Sequence, residues 1–91
     1  MELFEKLDGE IVEEVGAKLK TLRKVRNWSQ SDLAAKVGVS RKHISEIETG
    51  KGTSLLTFVK LLKVFNKSEK LLEVLSGSSV SPRDRFMKEN K

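Results

Sequence analysis

Cysteine is absent, and proline and histidine occur once each, as Pro82 and His43. Without cysteine there is no disulfide and no thiolate, and the redox compartment stays open. A lone histidine without cysteine builds no metal site. With no glycine-rich phosphate loop and no clustered carboxylates either, no constellation is left to carry catalysis, so neither an enzyme nor a cofactor is expected. Long apolar runs are also missing: the longest is Leu33-Ala34-Ala35, which excludes a membrane span. The opening stretch, MELFEKLDGEIVEE, is acidic and lacks the basic-then-apolar layout of a secretion signal, so a cytoplasmic location is the expectation.

What is present is charge. The 91 residues suit one domain with a modest core; 34% are charged, and 18 basic against 13 acidic residues give a net charge of +5. The charge is uneven. Residues 1–16 hold six acids and one base, residues 17–70 hold 13 bases and four acids, and residues 71–91 hold four bases and three acids. The middle of the chain is therefore the electrostatic working part, and the basic balance favours a polyanionic partner such as nucleic acid or an anionic membrane face.

No β-type alternation occurs, and every substantial segment is helical in pattern. Ile11, Val15, Leu19 and Leu22 form one stripe, with Asp8 as a possible cap and Glu10, Glu13 and Glu14 placed to favour the positive helix end. Leu3, Phe4 and Leu7 lie upstream as a short extra turn or a packed arm. Ser29 caps a second helix with Asp32 at its third position, and Leu33, Ala34 and Val37 face inward. Gly38 takes the left-handed position after the last turn. Ser40 then caps a third helix, Arg41 to Thr49, with Ile44 and Ile47 inward and Gly50 as its stop. Ser54 caps a fourth, LLTFVKLLKVF, whose apolar surface wraps further round than a small core needs. Ser68 and Glu69 open a fifth. Beyond it, residues 76–91 form a linker and basic tail, ending in a short helix started by Ser81 and Pro82 or in a frayed segment.

Two short helices joined through a glycine turn make a helix-turn-helix, whose second helix can enter a DNA major groove. With Ile44 and Ile47 inward, Lys42, Ser45, Glu46 and Thr49 point outward and Arg41 stands at the exposed N-terminal tip. Two cations at that tip suit a groove edged by phosphates and guanines. His43 and Glu48 fall on the flanks, and Trp28 is expected to plug the core.

The stretch LRKVRNWSQSDLAAKVGVSRKHISEIETGKG, followed by LLTFVKLLKVF and on to Leu75, resembles the XRE (Cro/CI-type) helix-turn-helix family of phage repressors and bacterial regulators. The likeness rests on Ser29-Gln30, Asp32-Leu33-Ala34, Gly38, Val39-Ser40, Ile44-Ser45, Ile47-Glu48 and Gly50 in their spacing. It implies an all-α fold, a five-helix bundle in the lambda-repressor style over residues 1–75 with its helix-turn-helix core at 29–50. It also implies DNA binding as a homodimer on a pseudo-palindromic operator.

Residue roles follow from the same resemblance. Gln30 matches a residue that grips a phosphate and steadies the recognition helix. Arg41, Lys42, Ser45 and Glu46 fall where base-reading side chains sit, Glu46 either accepting from cytosine or deterring wrong sequences. Ser29, Thr49 and Lys51 match backbone-touching positions, and Ser40, a cap first, joins them as a DNA contact. Arg23 and Glu48 match a structural ion pair. The family often carries a separate dimerisation domain, and only 16 residues follow Leu75. Dimerisation is therefore expected to use helices four and five, through Phe58, Val64, Phe65, Leu71, Leu72, Val74 and Leu75. Three functions fit: a transcriptional repressor, the antitoxin of a toxin–antitoxin pair that binds a toxin protein and autoregulates its operon, or an adaptor that has lost DNA binding. The intact Gln30, Arg41 and Lys42 weigh against the adaptor.

Overall fold

Helix-period patterning with a cap or breaker at nearly every boundary produces five helices: α1 (Glu2–Val25), α2 (Gln30–Val37), α3 (Arg41–Glu48), α4 (Leu55–Val64) and α5 (Ser68–Ser76). The computed structural model describes Glu2 to Gly77, with side chains from Leu7 onward, and no strand occurs among the described residues. The final helix considered for residues 81–91 lies outside them, as do the side chains of Leu3 and Phe4.

Most boundaries have a local cause. α1 ends where Asn27 turns left-handed (φ 59°), so that Trp28 N–H reaches back to the Arg23 carbonyl at 3.2 Å. Ser29 and Asp32 then form a reciprocal capping box: Asp32 N–H donates to Ser29 Oγ at 2.9 Å and Ser29 N–H to Asp32 Oδ2 at 2.8 Å. Gly38 (φ 87°) closes α2, its N–H and that of Val39 both donating to the Ala34 carbonyl. Ser40 caps α3 by accepting from His43 N–H at 3.0 Å, and Ser54 caps α4 by accepting from Thr57 N–H at 3.1 Å. Asn66 (φ 60°) turns the chain from α4 into α5.

The all-α bundle thus forms as its sequence implies, around Leu19 of α1, Leu33, Ala34 and Val37 of α2, Ile44 and Ile47 of α3, and Leu61 with Phe65 at the end of α4. α3 packs on α1 and α2, α2 also touches α4, and α5 lies on α4 with none of its side chains fully buried. Truncating one of the fully enclosed residues, such as Leu33 or Ile44, removes about 2–5 kcal/mol of stability.

Four expectations need correcting. α1 starts well before Asp8, which is an exposed residue within the helix rather than its cap. Asp8 and Gly9 are weak helix formers but neither forbids a helix, and α1 runs through both. Glu10, Glu13 and Glu14 are consequently mid-helix, too far from the first turn to gain from its partial positive charge. Ile11 is 51% exposed, so the inward stripe of α1 begins with half-buried Val15 and is enclosed only at Leu19. Phe65, assigned to a dimer surface, is 1% exposed; four residues after Leu61 it shares that residue's inward face and fills the core.

Close approach, not only apolar pairing, locks α1 to α3. A Cβ added at Gly16 would run into the Ile47 carbonyl oxygen and sit 3.1 Å from the Glu48 carbonyl carbon. At Gly50 (φ 95°) an added Cβ would meet Glu13 Cγ at 2.5 Å and its Cα at 2.9 Å. Only glycine fits either position.

Candidate nucleic-acid interface

The left-handed turn at Gly38 separates α3 from α2, and the N-terminal end of α3 is left exposed. Arg41 and Lys42 are exposed there, with Thr49 and Lys51 exposed at the other end and Ser45 and Glu46 half-exposed between them. Ser29 and Ser40, both exposed, cap the two helices, while Gln30 is half-buried at the start of α2. One apolar face of α3 is thereby spent on the core and the opposite, mostly polar face is free.

Behind this surface runs a continuous set of polar contacts. Arg23 donates through Nε to Glu48 Oε2 at 2.7 Å and through Nη2 to Oε1 at 3.1 Å, both side chains being deeply buried. Arg23 Nη1 also donates to the Trp28 carbonyl at 2.7 Å. Gln30 Nε2 donates to Glu48 Oε1 at 3.0 Å, and Arg41 Nη1 donates to Gln30 Oε1 at 3.0 Å. The hydrogen bond to Glu48 raises the Arg23 pKa further above its already high value, so the guanidinium stays charged inside the protein. No buried side-chain nitrogen or oxygen among the described residues lacks a partner.

His43 links the interface to the following loop. Its Nε2 lies 2.8 Å from Thr53 Oγ1, and its Nδ1 lies 3.6 Å from Glu46 Oε1, an ion pair only when the imidazole is protonated. Thr49 Oγ1 donates to the Ser45 and Glu46 carbonyls at 3.1 and 3.0 Å, closing the end of α3. No group of histidines and carboxylates that could hold a metal ion is found among the described residues.

The remaining dimerisation candidates divide by exposure. Phe58 and Val64 are half-buried against the core and Leu71 is half-buried on α5, whereas Leu72, Val74 and Leu75 project from α5. Leu55 and Leu56 are also exposed, and an apolar groove lined by Ile11, Val12, Val15, Leu55 and Phe58 runs between α1 and the start of α4. Trp28, rather than being enclosed, is a half-buried lid: it stacks on Phe65 (ring centroids 5.8 Å apart) beneath Arg26 at 5.6 Å and Lys36 at 4.6 Å. Sequence reasoning missed Gly16, Gly50 against Glu13, and the His43–Thr53 contact. Only Gly16, a glycine inside an apolar helical stripe, carried a visible sign.

A glycine-turned helix pair presenting a cationic, polar helix face on an all-α bundle defines a helix-turn-helix DNA-binding regulator. Comparison with known families agrees. A helix-turn-helix family model matches residues 19–72, and the chain belongs to this XRE-type family. A candidate HTH-type transcriptional regulatory protein of Methanosphaerula palustris is 40% identical over 75 residues, covering 78% of this chain and 25% of that protein. A second, from Methanoculleus marisnigri, is 36% identical over 64 residues, covering 70% of this chain and 19% of that protein. The chain therefore spans a quarter or less of these two regulators. Antitoxin HipB of Escherichia coli K12 is 34% identical over 64 residues, covering 69% of this chain and 73% of that protein. No solved structure matches the chain at a comparable level of significance.

Proposed function

We propose that this regulator is a repressor that binds a pseudo-palindromic operator as a homodimer, laying α3 of each protomer in the major groove. Arg41 and Lys42 meet base edges and flanking phosphates, Ser45 and Glu46 face the bases further along, and Ser29, Gln30, Ser40, Thr49 and Lys51 hold the sugar–phosphate backbone. The observation that carries this reading is the exposure of Arg41 and Lys42 at the N-terminal end of α3, just beyond the Gly38 turn. Leu72, Val74 and Leu75 on α5 supply the twofold contact, with two recognition helices roughly 34 Å apart. Residues 1–75 form the DNA-binding unit, residues 76–91 a linker and tail, and the protein works in the cytoplasm.

The test is selection of duplexes from a random library by the full chain, followed by Arg41→Ala on the enriched sequence. Loss of one bidentate base contact costs about 1–3 kcal/mol. Equal binding by parent and variant refutes the assignment.

A second reading is favoured by the likeness to antitoxin HipB over most of that protein's length. Here the same interface autoregulates an operon while residues 76–91 or the acidic N-terminal segment dock on a toxin. Deleting residues 76–91 separates the two readings. A truncated protein that still binds the enriched duplex but loses a co-purifying partner supports the antitoxin, and the absence of any partner supports the plain repressor.

A further inference from the structure

Arg41 is exposed, yet its guanidinium is held. Nη1 donates to Gln30 Oε1, the Gln30 amide donates from Nε2 to Glu48 Oε1, and Glu48 is gripped by Arg23 from α1. This chain of four side chains has a direction. An ionised carboxylate only accepts hydrogen bonds and a guanidinium only donates them. The amide between them must turn its NH2 toward Glu48 and its oxygen toward Arg41. Flipped, it would set oxygen against carboxylate and NH2 against guanidinium, and lose both bonds. Glu48 is only 7% exposed and both its oxygens accept from an equally buried Arg23, so the acceptor that faces Gln30 is held in place.

We propose that the buried Arg23–Glu48 pair is a positioning element for the DNA-facing tip: by orienting the Gln30 amide it makes position 41 a donor-only position and holds the Arg41 guanidinium in place. The Arg41 fork spends one N–H on Gln30 and keeps the others for a guanine edge or a phosphate. A donor at position 41 fits the Gln30 oxygen, and an acceptor-only side chain such as glutamate is repelled. A residue that never touches DNA thereby narrows what the first residue of α3 can read. The importance for specificity rests on the proposed DNA-reading role of Arg41; the orientation of the contacts does not.

The rival account is that Arg23 and Glu48 merely fasten α1 to α3. Replacing both, Arg23→Met with Glu48→Met, removes the direction without stranding a buried charge, and such apolar replacements are often neutral for stability. Three quantities are then read on the full chain: the melting temperature, the mobility of the Arg41 Nε–H by nitrogen-15 relaxation in the free protein, and discrimination between the library-enriched duplex and a scrambled one. In the folded double variant, Arg41 is expected to become as mobile as an unrestrained surface arginine, and discrimination to fall about tenfold. Unchanged Arg41 mobility and discrimination in that variant overturn the proposal. Should the double variant not fold, Glu48→Gln decides, since an amide of the same shape can donate or accept and so no longer dictates which way the Gln30 amide turns: release of Arg41 supports the proposal and an unmoved Arg41 overturns it. If Arg41→Ala leaves discrimination intact while a change at Glu48 still frees Arg41, the positioning stands and the DNA-reading role of Arg41 falls.

Discussion

Gly9→Ala and Gly16→Ala are the same chemical change in the same helix, and they are expected to move stability in opposite directions. Both residues lie inside α1, where alanine is favoured over glycine by about 0.8–1 kcal/mol. Nothing lies within 4 Å of a Cβ added at Gly9, so that gain is expected nearly whole. At Gly16 the added carbon runs into the Ile47 carbonyl oxygen and meets the Glu48 carbonyl carbon and oxygen at 3.1 Å. These are backbone atoms at the end of α3, and no rotamer change removes them. Relief requires α1 and α3 to part, which opens the seam enclosing Leu19, Ile44 and Ile47. Overpacking costs about 1–3 kcal/mol, and an immovable obstacle places Gly16 near the upper end. Less the propensity gain, about 2 kcal/mol is lost. For a domain of this size 1 kcal/mol moves the melting temperature by roughly 4–8 °C. Gly16→Ala should therefore melt about 8–16 °C lower than the parent, and Gly9→Ala up to about 8 °C higher, by far-UV circular dichroism. Shifts of the same sign in both variants would mean that α1 does not pack on the α3 terminus as described.

Acid titration checks the α2 cap. The hydrogen bond from Ser29 N–H holds the Asp32 carboxyl below its ordinary value of 3.8. A depressed folded pKa gives stabilisation that is complete above the unfolded value and fades as pH falls through the folded one. Asp32→Asn should flatten the loss of stability below about pH 4, and an unaltered acid limb refutes the capping box. For the interface, a dimer placing Arg41, Lys42 and Lys51 of each protomer on phosphates predicts a slope of log K against log salt of about −5. Lys51→Ala should make that slope about 2 shallower per dimer and weaken all sequences alike, whereas a change confined to the enriched duplex contradicts a backbone role. For the twofold contact, Val74→Glu with Leu75→Glu should give a folded monomer by light scattering, because both side chains are 74% exposed within the protomer. A parent that is already monomeric at binding concentrations removes the dimer.

Local chemistry made much of the fold legible. The Ser29, Ser40 and Ser54 caps and the Gly38 turn each involve groups within five residues of one another, so the sequence carries their whole cause. The start of α1 was not legible, because a good capping residue inside a helix-compatible stretch is a weak signal: nothing near Asp8 forbids continuation. Phe65 was misassigned for a different reason. A helix apolar on most sides does not say which stripe its neighbours cover, and only the docked bundle turns Leu61 and Phe65 inward. The surface of α3 could be placed from its own period. The bonds joining Arg41, Gln30 and Glu48 could not, since they span separations of 11 and 18 residues and exist only once α2 and α3 are docked.

These same residues tie stability to recognition. The backbone of Glu48 is what Gly16 lies against, and its carboxylate is what orients Gln30. The approach of α1 therefore sets where that carboxylate stands, and the carboxylate sets how Arg41 is held. A change that widens the α1–α3 seam by a fraction of an ångström should reach the tip of α3 without touching it. The hydrogen bonds at 3.0 Å on either side of the Gln30 amide have little length to spare. Gly16→Ala should accordingly lose discrimination between enriched and scrambled duplexes even at temperatures where it is fully folded, whereas Gly9→Ala, with no contact to transmit, should keep it.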